Sequence, residues 1–353
     1  MRIAFFVNTI PFNDRSVDTI PLGGTETGVV CLARALSNLG HDVVVLTRDA
    51  NPPVSNPLYV SIEALPDLGR VDVFIAIRDW NFTFLPVQAR RKMLWTGDAA
   101  LQPFTRGLGD KQVVGNIDTL LTVSEWHTQH LCEASGFPRE KVYTLGNGIE
   151  PTRFIGKEER GRKRMFYSSV PYRGLHLMPA ILAKLVEKHP DVEFHNFGGF
   201  KVYMDAVGQQ DKDTFDRLLA DLSRFPQFVN HGNVTQGELA REMMRSSILC
   251  YPNTFIETSC MTALEAQAAG CAVVTSALGA LPETVGEAGI LIPGEPGSPD
   301  YIDSFVSALD KLLSSDSEWR QRSDAGRRRA ASFYWSTIAA RFSDFLESDS
   351  RSH

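Results

Sequence analysis

The first half of the chain alternates short apolar runs with amphipathic segments. Apolar runs at Arg2 to Val7 and Asp42 to Thr47 predict buried strands, and the helical periodicity of Glu26 to Leu39 predicts a helix between them. Four later runs predict further strands: Val71 to Ile77, Lys92 to Thr96, Thr119 to Val123 and Val142 to Leu145. Strands that alternate with helices are typical of parallel sheets covered by helices on both faces.

The same alternation restarts at Met165, after a polar, charge-dense stretch from Gly156 to Arg164 that we interpret as a linker. The pattern predicts strands at Met165 to Ser169, Val192 to Phe197, Phe228 to Asn230, Ile248 to Tyr251 and Ala272 to Thr275. It predicts helices at Leu175 to Lys188, Thr214 to Phe225, Gln236 to Ser246, Cys260 to Ala269 and, in several pieces, Pro299 to Leu346. The fold class is therefore α/β, with two doubly wound parallel-sheet domains facing across a cleft.

Composition narrows the class of protein. The 353 residues are 43% hydrophobic and 22% charged, which argues against a disordered chain. The net charge of -6 argues against a nucleic-acid partner. No apolar run approaches the ~20 residues needed to span a bilayer or forms a signal peptide. The five cysteines contain no C-x-x-C pair, which favours a reduced, cytosolic chain over a disulfide framework or a zinc site.

A glycine pair, Gly23 and Gly24, precedes the first long helix. A dinucleotide-binding G-x-G-x-x-G turn would carry its middle glycine where Thr25 stands and would follow the first strand directly, so the nicotinamide interpretation is weak. Backbone amides at such a helix start can approach a phosphate or a sugar closely. An ordinary turn with Thr25 as the helix cap remains an equal alternative.

The most informative stretch runs from Tyr251 to Ala266 and carries Glu257 on a loop and Glu265 on a helix. A continuous helix would separate the two carboxylates by ~12 Å and ~80° around its axis, too far for a proton-sharing pair. Carboxylates accept hydrogen bonds from hydroxyl pairs, and the helix start between them offers amides to a diphosphate. A sugar, a diphosphate and a ribose fit this order. Alternatively, Thr262 to Glu265 forms a capping box and Glu257 is a solvated loop residue.

These segments belong to a longer series of motifs in the same order along the chain: Gly23-Gly24-Thr25-Glu26, Leu39 to Val43, Thr122 to Trp126, Gly146 to Glu150 with Phe154, Gly198-Gly199, and Glu257 with Glu265 followed by Ala266 to Thr275. The series resembles the GT-B-fold glycosyltransferases of family 4, known as group 1. The resemblance covers nearly the whole chain. It implies two Rossmann-like domains, residues 1–155 on the acceptor side and 160–330 for the nucleotide sugar, with residues 331–353 crossing back.

The resemblance implies a cytoplasmic, metal-independent, retaining transferase that needs no cofactor. Its partners would be a nucleotide-sugar donor, such as a UDP- or GDP-sugar, and a sugar, lipid-linked or small-molecule acceptor, as in polysaccharide biosynthesis. A peripheral contact with the inner face of the membrane is left open. A sugar-nucleotide epimerase, a phosphorylase of the same architecture and a non-catalytic sugar-nucleotide-binding subunit are the alternatives.

Residue roles also follow from the resemblance. Glu257 would bind donor-sugar hydroxyls, Glu265 the ribose, and the His231 to Val234 loop the base. The full set of donor-binding candidates is Gly23, Gly24, Ser168, Ser169, Gly232, Val234, Ser259, Cys260, Met261, Thr262 and Glu265, with Glu257, Arg173 and Asp98 as catalytic candidates.

Two positions depart from the family pattern. The family has two basic residues after the first strand of the second domain, whereas this chain offers Arg173 alone, so leaving-group stabilisation must depend more on the helix start or on Ser168 and Ser169. A family histidine near the reacting carbon is replaced by Gly97, which leaves the role of the adjacent Asp98 open.

Two other patterns suggest metal ligands, but neither is persuasive. Asp211-Lys212-Asp213 resembles a D-x-D metal motif, yet it lies in a charged helix-start region. His127 and His130 lie at i and i+3 without a third ligand, which favours a pair on a helix surface.

Overall fold

The computed structural model describes residues 1–100, 102–200 and 209–350. The chain divides into two compact units, Met1–Gly148 with the segment from Phe333 onward, and Ile149–Ser332. Each unit contains its own parallel sheet, which confirms the predicted α/β class.

The first unit is built on seven described strands: β1 (Arg2–Phe6), β2 (Asp42–Thr47), β3 (Leu58–Ser61), β4 (Val71–Ile77), β5 (Ala89–Trp95), β6 (Thr119–Thr122) and β7 (Val142–Thr144). Their order in the sheet is β3-β2-β1-β4-β5-β6-β7, so the chain reverses direction across the sheet at β1. The accompanying helices are α1 (Ser16–Thr19), α2 (Gly24–Asn38), α3 (Lys111–Asn116) and α4 (Glu125–Ser135).

The second unit has six described strands: β8 (Arg164–Tyr167), β9 (Glu193–Asn196), β10 (Phe228–Asn230), β11 (Ile248–Tyr251), β12 (Ala272–Ser276) and β13 (Ile290–Ile292), in the order β10-β9-β8-β11-β12-β13. Its helices are α5 (Met178–Leu185), α6 (Gln209–Leu222), α7 (Gln236–Arg245), α8 (Met261–Ala269), α9 (Leu281–Val285), α10 (Pro299–Ser314) and α11 (Asp316–Ala330). The last helix, α12 (Trp335–Ser350), belongs to the first unit.

Apolar burial explains why these strands form. In both sheets the central strands are covered on two faces, so they are continuous apolar runs rather than alternating ones. Phe5 and Phe74 in the first unit and Phe166 and Phe194 in the second are fully buried. Trp335 of α12 is also buried, and its ring meets the edge of Trp95 with the centroids 6.4 Å apart.

All eleven predicted strands overlap observed ones, but the pattern missed β3 and β13. Both strands are short and lie at the edge of a sheet, where pairing with a neighbour decides the conformation. The predicted helix at Leu175 to Lys188 is also wrong at its start, because the chain first makes a 3-10 turn at Leu175–Leu177. The predicted helix from Thr214 is instead α6, which begins at Gln209.

The stretch interpreted as a linker, residues 156–164, packs on the second unit. Arg160 donates to the carbonyl oxygens of Ser246 and Ala269, and Arg162 Nε donates to Asp316 Oδ1 at 2.8 Å. Its charges therefore satisfy specific carbonyl and carboxylate groups. Among the helices of the described chain, none combines the length and the apolar character needed to cross a membrane.

Candidate functional site

The candidate site of the second unit lies on loops that follow neighbouring strands. Because β8 pairs with β11 in parallel, the loops after both strands leave the same edge of the sheet. These loops touch: a Cβ added at Gly174 would lie 2.0 Å from the carbonyl oxygen of Pro252, and Gly174 has a φ of +120°. Only glycine fits this position, which holds the loop carrying Arg173 against the loop carrying Glu257.

Glu257 is a buried carboxylate with two donors. The Tyr251 hydroxyl donates to its Oε1 at 2.6 Å, and Arg173 Nη1 donates to the same oxygen at 3.0 Å. The side chain of Glu257 is 6% exposed and that of Arg173 is 26% exposed. No described residue donates to Oε2, so this oxygen keeps its acceptor capacity. The alternative that Glu257 is a solvated loop residue is therefore wrong.

The loop holding Glu257 is fixed by its backbone as well. The amide of Ala280 donates to the Glu257 carbonyl oxygen at 2.7 Å. Gly279 lies so close that an added Cβ would be 2.4 Å from that oxygen, and its φ is +59°. Contacts from the loops after β8, β11 and β12 therefore hold this one carboxylate.

Arg173 is held between an anion and an aromatic ring. Besides its bond to Glu257, its guanidinium lies 4.2 Å from the centre of the Phe255 ring. Stacking and a carboxylate together fix the plane of a guanidinium better than either contact alone. Ser169 lies nearby, with its Oγ 3.4 Å from the Tyr251 hydroxyl, and Ser168 is buried beside it.

Tyr251 is a site residue that the sequence interpretation missed. It is the last residue of β11 and is 1% exposed, and burial, with Glu257 adding to it, raises the pKa of its phenol well above the usual value. It therefore stays a neutral donor at any ordinary pH. A tyrosine that ends an otherwise aliphatic strand, six residues before Glu257, is the signal that could have identified it.

Helix α8 begins immediately after this loop. Its N-cap is Cys260, which makes no side-chain cap, and the amides of Met261 and Thr262 have no acceptor among the described residues. The predicted alternative of a capping box from Thr262 to Glu265 is thus wrong. The separation calculated for a continuous helix also does not apply, because the chain from Glu257 to Ser259 is a loop.

Glu265 lies in the interior of α8 and is 6% exposed. Burial raises the pKa of its carboxyl to about 7, and Arg153, in the 3-10 turn Pro151–Phe154, opposes this rise. No described residue forms a hydrogen bond with the Glu265 carboxyl group. Burying a carboxyl group with so little compensation costs free energy unless a ligand donates hydrogen bonds to it, as expected of a binding residue.

The two glycines of the first unit lie where α2 begins. Gly23 is the N-cap in an extended conformation and Gly24 is the first helical residue. The alternative with Thr25 as the cap is wrong, since no side chain caps this helix.

Asp98 lies in the first unit, after β5, and its groups are largely committed. Arg78 donates to both carboxylate oxygens of Asp98, from Nε at 2.7 Å and from Nη2 at 3.2 Å. Arg78 itself has a φ of +72°, a conformation that costs energy for a residue with a side chain. The structure thus places Asp98 in a forked ion pair with a strained arginine.

His127 completes this arrangement, and the prediction that it lies on a helix surface is wrong. It is fully buried, its Nε2 is 2.9 Å from the carbonyl oxygen of Asp98, and its Nδ1 accepts from the amide of Val123 at 3.3 Å. Burial lowers the pKa of His127 to about 4, so the ring is neutral at physiological pH. The four-residue spacing from His127 to Leu131, also buried, is the signal that could have indicated its buried face.

The described residues were also compared with the arrangements of side chains that hold metal ions. Within residues 1–100, 102–200 and 209–350, no group of three or more His, Cys, Asp or Glu side chains is arranged to hold a metal ion.

The hydroxyl of Tyr251 provides the first test. Tyr251→Phe leaves a buried carboxylate with one donor instead of two, so we expect the free energy of unfolding to fall by about 1–3 kcal/mol in urea denaturation. Tyr301→Phe is the matched control, because Tyr301 is equally buried but its hydroxyl bonds the neutral Ser276 Oγ at 2.7 Å. Equal losses in the two variants would contradict the role assigned to Tyr251.

Glu265 provides a test of pH dependence. A carboxyl whose pKa is about 7 when folded, against the ordinary 4.5, favours the folded state below pH 4.5 and loses that contribution as the pH rises to about 7. Glu265→Gln should therefore gain stability relative to wild type over this range, by about 3 kcal/mol in full, in urea unfolding at several pH values. The exposed Glu187→Gln is the control. A pH-independent difference between Glu265→Gln and wild type would rule out the buried, unpaired carboxyl.

Comparison with known proteins shows which families and structures this chain is similar to. Residues 163–315 match the family model described as "Glycosyl transferases group 1". A relative named MMP alpha-(1->4)-mannosyltransferase, from Mycolicibacterium hassiacum, is 30% identical over 65% of this chain and 54% of its own length. The chain thus spans just over half of that relative. A phosphatidyl-myo-inositol mannosyltransferase of Mycolicibacterium smegmatis is 26% identical over 90% of this chain and 88% of its own.

Solved structures extend the likeness to the whole fold. Sucrose-phosphate synthase from Thermosynechococcus elongatus superposes with a TM-score of 0.76 at 17% identity, over 100% of both chains. Anabaena HepE in complex with UDP and glucose superposes with a TM-score of 0.74 at 13% identity, over 99% of this chain and 100% of its own. The resemblance predicted from the motifs is confirmed as a likeness: the chain has the GT-B fold, and residues 163–315 of its second unit are similar to the group 1 glycosyl transferases.

Proposed function

We propose that the protein transfers a sugar from a nucleoside diphosphate sugar to a hydroxyl acceptor, with retention of configuration at the sugar. The observation that carries the proposal is the sequence of groups after β11. A buried carboxylate oxygen at Glu257 is followed by two open amides at Met261 and Thr262 and by the buried Glu265, whose carboxyl has no hydrogen-bond partner among the described residues. Relatives named as mannosyltransferases and a fold neighbour that binds UDP and glucose support this class of ligand.

Each of these groups binds a different part of the donor. Glu257 Oε2 accepts from sugar hydroxyls, because its other oxygen is already occupied by Tyr251 and Arg173. The amides at the start of α8, from Ser259 to Thr262, bind the diphosphate with the help of the helix dipole. Glu265 accepts from the ribose hydroxyls, and Gly232 and Val234 contact the base.

Catalysis depends on charge at the leaving group. Negative charge builds on the diphosphate as the sugar becomes cationic, and prearranged donors at the phosphate are usually the largest catalytic contribution. We assign this task to Arg173, the amides of α8 and the hydroxyls of Ser168 and Ser169, without a metal ion. The acceptor oxygen forms its bond to the sugar carbon on the face from which the diphosphate leaves, and the leaving phosphate takes the acceptor proton, so no covalent nucleophile is needed.

The proposal predicts which ligands stabilise the protein. In a panel of UDP-, GDP-, ADP- and CDP-sugars, at least one should raise the thermal unfolding midpoint, because a ligand at ~100 times its Kd contributes ~2.7 kcal/mol. Glu265→Gln should weaken that effect, and the exposed Glu187→Gln should leave it unchanged. The lack of a shift with every nucleotide sugar would contradict donor binding.

Product analysis then distinguishes the reaction classes. A transferase releases nucleoside diphosphate and requires an acceptor, an epimerase needs none, and a phosphorylase consumes orthophosphate. A non-catalytic binding subunit would bind the donor and release nothing.

Arg173 is the residue on which turnover should depend most directly. Arg173→Ala removes a charge-assisted contact worth ~1.5–3 kcal/mol, so turnover should fall at least about tenfold, with or without EDTA. Arg245→Ala is the matched control, because Arg245 also pairs with a glutamate, Glu158 at 2.7 Å, in the same unit. Wild-type turnover in Arg173→Ala would rule out this role, and loss of wild-type turnover in EDTA would overturn metal independence.

A further inference from the structure

Three titratable side chains form a chain of hydrogen bonds across β9 and the end of β10. Glu193 Oε2 lies 3.0 Å from His195 Nε2, and His195 Nδ1 lies 2.9 Å from His231 Nε2. His195 is buried, whereas His231 is exposed and begins the loop His231 to Val234. Nothing in the role proposed for the glutamates of the second unit uses this chain.

The carboxylate fixes where the protons are. A carboxylate only accepts, so the nitrogen of His195 that faces Glu193 carries a proton. In the neutral chain His195 Nδ1 is therefore bare and accepts from His231 Nε2. His231 then has a bare Nδ1, which is a hydrogen-bond acceptor.

One added proton reverses this polarity. The proton is stabilised on His195, where Glu193 faces the resulting imidazolium. His195 Nδ1 then donates, so His231 Nε2 must be bare and its proton moves to Nδ1. The outward nitrogen of His231 changes from an acceptor to a donor, while the ring of His231 stays neutral.

The groups around the two rings set the pH range in which the added proton is taken up. Among the described residues, the charged groups that face the two rings are Glu193 on β9, Arg164 on β8 and Glu242 on α7, and Arg164 and Glu242 pair with each other. Burial is the main cause that lowers the pKa of both His195 and His231 below the ordinary 6.5. At neutral pH both imidazole rings are therefore neutral, and the added proton arrives at acid pH.

The rings are held rigidly at the carboxyl end of the sheet. The His231 ring stacks on Phe197 with the centroids 4.5 Å apart, and its amide donates to the Asn196 carbonyl oxygen at 2.9 Å. Asn196 Nδ2 also donates to Asn230 Oδ1 at 2.8 Å, which joins the ends of β9 and β10. No described residue bonds to His231 Nδ1, so this nitrogen is open to water or to a ligand.

We propose that His231 selects the base of the donor, and that Glu193 and His195 set the polarity with which it does so. This inference rests on the proposed function, which assigns Gly232 and Val234, on the loop that His231 begins, to the base. With Nδ1 as an acceptor, His231 favours a base that presents a ring N–H, as uracil and guanine do. It disfavours cytosine and adenine, whose corresponding ring nitrogen is bare and would face another acceptor.

The test compares UDP with CDP by calorimetry, because the two differ in the polarity of one base edge and share the diphosphate. Ionisation of the phosphate therefore cancels in the ratio of their affinities. At about pH 7.5 we expect UDP to bind at least about tenfold more tightly than CDP, since a mismatched polar edge costs about that much. At an acid pH below 6.5, reached by stepwise titration, the ratio should fall severalfold as His231 Nδ1 becomes a donor.

Variants distinguish the roles of the residues in this chain of hydrogen bonds. His231→Ala should abolish both the preference and its pH dependence. Glu193→Gln removes the charge that stabilises the His195 imidazolium, so the midpoint of the change should move to lower pH. The matched control is His189→Gln, because His189 also pairs with a carboxylate, Asp310 Oδ1 at 2.9 Å, and should leave the ratio unchanged.

Failure of this inference and failure of the proposed function give different results in these experiments. If UDP and CDP bind with the same ratio at both pH values and in His231→Ala, the inference is wrong while the proposed function stands. If no nucleoside diphosphate binds, the proposed function fails and the inference fails with it. Nitrogen-15 NMR of the ligand-free protein gives an independent measure: a protonated His231 Nδ1 at neutral pH would also overturn the proton arrangement.

Discussion

The pairing of one buried carboxylate determines the arrangement of the second unit's candidate site. A charge that is removed from water must be compensated locally, and Glu257 receives its compensation from two different strands. Tyr251 ends β11, and Arg173 follows β8, so both reach the carboxylate only because β8 and β11 are neighbours in the sheet. The crossover topology is therefore what allows the sequence to bury this charge.

The carboxyl groups of Glu257 and Glu265 are compensated in opposite ways. Glu257 is fully engaged on one oxygen, which fixes the direction of the other. Glu265 has burial without a hydrogen-bond partner in the described structure, and its raised pKa is the electrostatic consequence. Under the proposed function, the rigid acceptor Glu257 suits the hydroxyls next to the reacting carbon. Glu265, a buried acceptor without a hydrogen-bond partner among the described residues, suits binding energy gathered at a distance from that carbon.

The sequence predicts the architecture better than it predicts the contacts. Central strands such as β1 and β11 are visible as apolar runs because burial on both faces demands them. The short edge strands β3 and β13 are not, although β7 and β10, which also lie at an edge, are predicted. The motif order indicated the positions of Glu257 and Glu265, and the apolar strand before them indicated the loop.

What the sequence concealed depends on residues that are distant along the chain. The bond between Arg173 and Glu257 joins positions that periodicity cannot relate, and it places the guanidinium on a carboxylate. In the sequence alone Tyr251 is only the end of a strand, because its contact with Glu257 depends on the direction of the loop that follows. The prediction that His127 lies on a helix surface is wrong, because it follows from two histidines at i and i+3. Leu131, at i+4, lies on the same buried face of the helix as His127.

These contacts change the charge balance expected at a phosphate. Arg173 is the single basic residue that the motif pattern supplies, and Glu257 already draws on it. Under the proposed function, its field at the diphosphate is therefore partly neutralised, and the open amides of α8 would carry a larger share of the stabilisation. Because that share comes from backbone dipoles, it does not depend on which side chains occupy Ser259 to Thr262. This independence explains how Cys260, a small and buried thiol without acidic character, can occupy the N-cap of the helix that the proposed function places at the leaving group.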